Sequence, residues 1–156
     1  KSGKRIEMKS KGDLAKEYFL QGYNCSQAVV LAFSDELNMK EEDIIKISSS
    51  FGGGMGRLRE VCGTVSGMFI VAGALYGYNN PKDFDSKKEH YERIQDLAEQ
   101  FKKENGSIVC RELLGLDRQK DEPTPERRTN EYYKKRPCPE IVKCAADILE
   151  RYVKEH

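Results

Sequence analysis

The sequence predicts an all-α fold, a single helical domain over residues 1–156 arranged as a bundle of about five to seven helices around one long, glycine-bearing central helix. Three observations predict it. Apolar residues recur at helical spacing through most of the chain. All five prolines (Pro81, Pro123, Pro125, Pro137, Pro139) lie beyond residue 80, so no proline interrupts a helix in the first half. No segment alternates polar and apolar residues in the manner of a half-buried strand. A chain of 156 residues can also bury one core without disulfide or metal staples.

The elements follow in order. Residues 1–10 read as a flexible N-terminus. Leu14, Ala15, Tyr18 and Phe19 form a first stripe closed by Gly22. Cys25, Ala28, Val29, Ala32, Phe33 and Leu37 form a second, with Asn24 placed to cap it. A third begins after Asn38, where Glu41, Glu42 and Asp43 suit the positive end of a helix dipole, and runs through Ile44, Ile47, Ser48 and Phe51. Gly52-Gly53-Gly54-Met55-Gly56 stops it. The long helix then runs from about Leu58 to Tyr76, aligning Cys62, Val65, Phe69, Ala72 and Tyr76. After the Asn79-Asn80-Pro81 turn, a helix from about Ser86 to Glu104 carries Tyr91, Ile94, Ala98 and Phe101 and ends before Asn105-Gly106. Cys110 to Leu114 reads as a short helix. Residues 117–137 read as a long surface loop with one helical turn near 127–133. The last helix, from about Pro139 to Lys154, buries Ile141, Val142, Ala145, Leu149 and Tyr152.

Composition narrows the function. Lys plus Arg is 27 against 26 Asp plus Glu, a net charge of +1, which lacks the cationic excess of a nucleic-acid binder. The 18 residues from Val61 to Tyr78 carry no charge, but Gly63, Gly67, Gly73 and Gly77 keep their hydrophobicity modest, so they read as a core helix and not as a membrane insertion. The opening Lys1-Ser2-Gly3-Lys4-Arg5 has no apolar run behind it, unlike a secretory leader, so the expected compartment is a reducing cytoplasm. Two histidines leave little for paired-histidine chemistry. Sulfur remains.

The five cysteines are Cys25, Cys62, Cys110, Cys138 and Cys144. No CxxC pair occurs, so thioredoxin-type dithiols and zinc knuckles are excluded, and any shared site must be assembled from separate segments. Cys25, Cys62, Cys110 and Cys138 each fall at or near the predicted start of a helix, where partial positive charge and free N–H groups lower a thiol pKa. The competing reading is that buried cysteines fill the core. Cys144 has that role: six residues beyond Cys138 on one helix, it points about 120° away. The glycine segment is not a phosphate loop, because no Gly-Lys-Ser/Thr follows and Arg57 stands where GxGxxG needs glycine. It is either a tight turn or a loop whose bare N–H groups, with Arg57 and Arg59 beside them, face a ligand near Cys62. In the second case Gly53, Gly54, Gly56 and Arg57 would bind it. Gly63 and Gly67 permit close helix packing, or approach of a substrate to sulfur.

Asn24-Cys25-Ser26-Gln27-Ala28-Val29, Phe51-Gly52-Gly53-Gly54-Met55-Gly56, Cys62-Gly63-Thr64-Val65-Ser66-Gly67, Cys110 and Cys138 together resemble the C_GCAxxG_C_C family of redox proteins, over about residues 13–153. Thr64 stands where that family usually has Ala. The resemblance implies that Cys25, Cys62, Cys110 and Cys138 are the functional set, Cys144 the extra, and the role redox. The leading expectation is a thiol redox protein, a possible thiol/disulfide oxidoreductase, with Cys62 as attacking thiolate and one of the other three as resolving partner. Its counterpart would be an unidentified redox partner or a small molecule. The alternatives are a binding module in which the same four thiolates hold zinc or an iron–sulfur cluster, and a helical interaction protein with structural cysteines. The glycine-bearing helix could pair across a two-fold axis in an isologous homodimer.

Overall fold

Start and stop signals decide where the helices of the computed structural model lie; it describes residues 9–117 and 120–156. Residues 1–8 of the predicted flexible N-terminus lie outside these residues; Lys9 pairs with Glu17, and Ser10 caps helix α1 (Lys11–Leu20) by accepting the Asp13 N–H. Helix α2 (Cys25–Ala32) opens with a capping box: the Asn24 side chain takes the Gln27 N–H, and the Gln27 side chain takes the Asn24 N–H. The predicted second helix does not run unbroken to Leu37. It breaks at Phe33 and resumes as the single turn α3 (Ser34–Leu37), which ends on Asn38 in the left-handed region at φ 54°. Helix α4 (Glu41–Ser48) tightens into a 3₁₀ turn at Ser49–Phe51 before the glycines.

The glycine-bearing helix α5 spans Gly63–Tyr76, starting five residues later than predicted. The delay has a backbone cause. Arg57 and Arg59 have φ of 69° and 61°, and Val61 pairs with Val109 in an isolated antiparallel bridge. The longest helix is α6 (Phe84–Asn105), capped by Asp83 and stopped by Gly106 at φ 92°. Its inner face is rotated from the predicted one. His90, Leu97 and Phe101 are buried while Tyr91 is exposed, because these positions and Ile94, not Tyr91, meet the neighbouring helices. A short α7 (Cys110–Leu113) and α8 (Asn130–Lys135) lead to α9 (Cys138–Glu155), whose predicted stripe Ile141, Val142, Ala145, Leu149 and Tyr152 is buried.

Helix α1 packs on α9 and α2, and α5 packs on α2, α9 and α6. Two carboxylates of α9 hold the start of α1: Asp147 accepts the Gly12 N–H at 2.9 Å and Glu150 accepts the Lys11 N–H at 3.1 Å. Phe19, Leu31, Met68, Leu97, Phe101 and Leu149 centre the core. Among the described residues no helix is long and apolar enough to cross a membrane. This packing brings the starts of α2, α5, α7 and α9 to one side of the core.

Candidate functional site

Each of the four motif cysteines stands at a helix start. Cys25 opens α2, Cys62 caps α5, Cys110 opens α7 and Cys138 opens α9. All four line one cavity of about 300 Å³ and all are free thiols. The Val61–Val109 bridge aligns two of them: the Cys62 N–H donates to Ile108 O at 2.8 Å, and the Cys110 N–H to Glu60 O on the paired segment. Cys144 lies elsewhere, beside Asn105 and Glu104.

The glycine segment builds the floor. Gly53, Gly54, Met55, Gly56 and Arg57 all have φ between 63° and 71°, a left-handed turn closed by the Gly56 N–H on Gly52 O at 2.9 Å. Left-handed backbone costs an L-residue about 1–2 kcal/mol, so Met55, Arg57 and Arg59 are held there against that penalty. Arg57 Nε donates to Glu122 O at 2.8 Å, and the Asp121 N–H donates to Arg57 O at 2.9 Å. Of the predicted ligand-binding residues, Gly53, Gly56 and Arg57 line the cavity; Gly54 is buried behind it, against Cys110. The Gly53 amide lies on the Cys25 side of the turn, where it works against the burial that raises that thiol. Gly63 serves the same sulfur: a Cβ there would lie 2.7 Å from Cys25 Sγ and 2.8 Å from Phe51 O. Gly67 faces Val29 of α2 and is a packing glycine.

Electrostatics depart from the expectation at the helix starts. Burial pushes the Cys62 thiol far above the ordinary cysteine range; a charge on Cys25 adds to the rise, and the Thr64 hydroxyl, 3.1 Å from the sulfur, only offsets part of it. Cys138 is pushed up to about 12, by burial first and by Cys25 and Cys110 next. Cys25 rises through dense packing around its sulfur, against the pull of the Gly53 N–H. Removing a full thiolate from water costs more than the half-charge of a helix end returns. Burial thus opposes, at Cys62, the lowered thiol pKa that a helix-start position predicts. Cys25 is close enough to Cys62 and Cys138 for ionisation there to be felt at both.

Cys110 has a different neighbour. Arg59, 4% exposed, places Nη1 3.5 Å from the Cys110 sulfur and donates from Nε to Asp121 at 2.7 Å. Burial works against the charged guanidinium, but its bonds to Cys110 and Asp121 outweigh that and raise its pKa. Residues 120–136 are largely exposed, with one short helix at Asn130–Lys135, and part of this segment also walls the site. Pro123, Pro125, Arg128 and Arg136 line the cavity, and Arg128 donates to Phe19 O and Tyr23 O, its guanidinium 3.9 Å above the Phe19 ring. Asp121, Arg128, Arg136 and Tyr132 escape sequence reasoning because they lie in a polar segment without periodicity, and only tertiary contacts give them roles. Among the described residues, no three His, Cys, Asp or Glu side chains are grouped so that they could hold a metal ion. The thiols do not form a ready-made tetrahedral set.

The raised thiols carry a pH dependence. Folding favours protonated Cys138, so its contribution to stability is complete below the ordinary value of 9.0 and is lost as pH rises towards about 12. Urea midpoints at about pH 8 and about pH 10.5 should fall further in the wild type than in Cys138→Ser. Equal falls would remove Cys138 as a cause.

A family model described as "Putative redox-active protein (C_GCAxxG_C_C)" matches residues 23–152. No curated protein and no solved structure matches the chain.

Proposed function

Because this chain belongs to the C_GCAxxG_C_C family, we propose that it is a thiol redox protein that exchanges electrons through Cys25, Cys62, Cys110 and Cys138. One observation carries the reading: four free cysteines from four separate helix starts line a single cavity. Core-filling cysteines have no reason to meet at one opening.

Cys110 makes the first attack. Its sulfur receives an arginine N–H, and a neighbouring cation stabilises negative charge developing there. Cys25 resolves, because it lines the same cavity as Cys110 and its thiol feels Cys110. The Cys110 thiolate attacks one sulfur of a disulfide, the S–S bond breaks, and one thiol leaves with a proton from solvent. Cys25 then loses its proton to solvent, attacks Cys110 Sγ and displaces the second thiol. The protein gives up two electrons and holds a Cys25–Cys110 disulfide. Cys62 and Cys138 form the reserve into which that disulfide can migrate through Cys25.

Oxidising the reduced protein with diamide and mapping the products by mass spectrometry tests this. The expected products are disulfides within the set Cys25, Cys62, Cys110 and Cys138, formed in the monomer, with Cys144 still alkylatable. Preferential oxidation of Cys144, or four motif thiols that resist while the protein stays folded, would overturn it.

A further inference from the structure

The same cavity holds an excess of positive charge. Arg57, Arg59, Arg128 and Arg136 line it, and Glu126 is the one carboxylate among the lining residues. Asp121 offsets part of the excess from behind, bonding Arg59 and lying 3.7 Å from Arg57 Nη2. The thiols of Cys25, Cys62 and Cys138 stay neutral at ordinary pH and do not cancel the rest. The guanidinium groups are not all committed. Arg128 is bound to two backbone carbonyls, but Arg136, its side chain 12% exposed, has one bond, from Nη2 to Glu126 at 2.7 Å. Among the described residues, Arg136 Nε and Nη1 and Arg57 Nη1 have no acceptor. A nearly enclosed guanidinium with most of its donors unspent binds an anion strongly, since Arg offers a planar fork to a carboxylate.

Size and lining narrow the anion. A volume of about 300 Å³ is about ten times the share of one water in the liquid, more than an inorganic oxyanion fills. Leu113, Leu114, Pro123, Pro125 and Ile141 add apolar wall that suits a carbon chain. A protein disulfide is too large, because Cys62 and Cys110 are 7% and 6% exposed and lie inside the opening.

We infer that the cavity takes a small organic disulfide bearing a carboxylate, the acid held by Arg136 and Arg57 while its disulfide sulfur meets Cys110. This rests on the thiol redox reading above. The exchange balances as written there: the substrate S–S bond breaks, one S–S bond forms in the protein, two electrons pass to the substrate, and two small thiols leave.

Three small disulfides that differ in charge test it with the full reduced chain: 3,3′-dithiodipropionate (anionic), 2-hydroxyethyl disulfide (neutral) and cystamine (cationic). Loss of protein thiols should be at least about tenfold faster with the anion than with the neutral compound, and slowest with the cation. The ratio of anionic to neutral rates should fall about tenfold in Arg136→Gln and recover in part in Arg136→Lys. Should Arg136→Gln not fold, the wild-type ratio still decides, because it must shrink as salt rises from about 0.02 M to about 0.5 M. Reaction with all three at rates that ignore charge overturns the substrate class and leaves the thiol reading intact. No reaction with any of the three, the neutral one included, sinks both.

Discussion

Replacing Arg59 with alanine is expected to destabilise the protein by about 3–5 kcal/mol, the usual cost of breaking a buried ion pair from one side. Arg59 and Asp121 have side chains 5% and 7% exposed, with Nε and Oδ2 2.7 Å apart. Without the guanidinium, the Asp121 carboxylate stays buried and loses its partner at 2.7 Å; among the described residues Arg57, at 3.7 Å, is a weaker one. The same change removes the N–H donor to Cys110, and a charge-assisted bond worth about 1.5–3 kcal/mol translates to a rate loss of about tenfold to a hundredfold in thiol exchange. Urea denaturation gives the first quantity and single-turnover alkylation of Cys110 the second. Arg59→Ala with Asp121→Asn should recover part of the stability, because the buried charge is then gone, but none of the Cys110 rate. A single variant that loses less than about 1 kcal/mol would show that the pair does not hold the site.

The second large effect is expected at Gly54. A methyl group there would stand 2.6 Å from Cys110 Cβ, 2.8 Å from Arg59 Cα and 2.9 Å from Glu60 N. Two of those atoms are backbone and cannot swing aside. Backbone φ is 69°, so alanine also pays about 1–2 kcal/mol for handedness, and overpacking adds about 1–3 kcal/mol. Gly54→Ala should therefore lose about 2–5 kcal/mol and displace Cys110 from Arg59. Gly56→Ala is the internal control. Its φ is 63°, but the nearest atom, Ser50 O, is 3.9 Å away, so only the handedness penalty of about 1–2 kcal/mol applies. Thermal or urea melts of the two variants separate collision from conformation. Equal losses would mean that the close approach of the glycine turn to Cys110 carries no weight.

Much of the helical frame was legible because its signals are local. Asn24, the acidic residues before Ile44, and Gly106 after Asn105 act within a few positions of themselves: Asn24 caps α2, the acidic residues fill the first turn of α4, and Gly106 stops α6. The placement of four cysteines at helix starts was legible for the same reason. What the chain hid is long-range. Nothing near Val61 announces Val109, so the delayed start of α5 could not be read. The left-handed stretch was half-visible: its glycines advertise it, whereas Met55, Arg57 and Arg59 are residues that avoid such backbone unless distant partners hold them. Arg128 gains meaning only when the segment before α9 folds back over Phe19 and Tyr23, and Arg136 only when it meets Glu126 and the Tyr132 ring. For Cys62 the helix-start position is a local signal, whereas the dehydration that raises its thiol comes from residues packed around it.

Cys138 opens α9, and its sulfur shares a chamber with one that enters the sequence at residue 25. A ribosome delivers Cys25 long before Cys138, so during synthesis the early sulfurs wait in water without their later companions. Any cross-link made in that interval would join whichever thiols met by chance, and would bar α9 from its berth. The order in which the polypeptide emerges thus makes the synthesis of α9 a precondition for bringing the four sulfurs together.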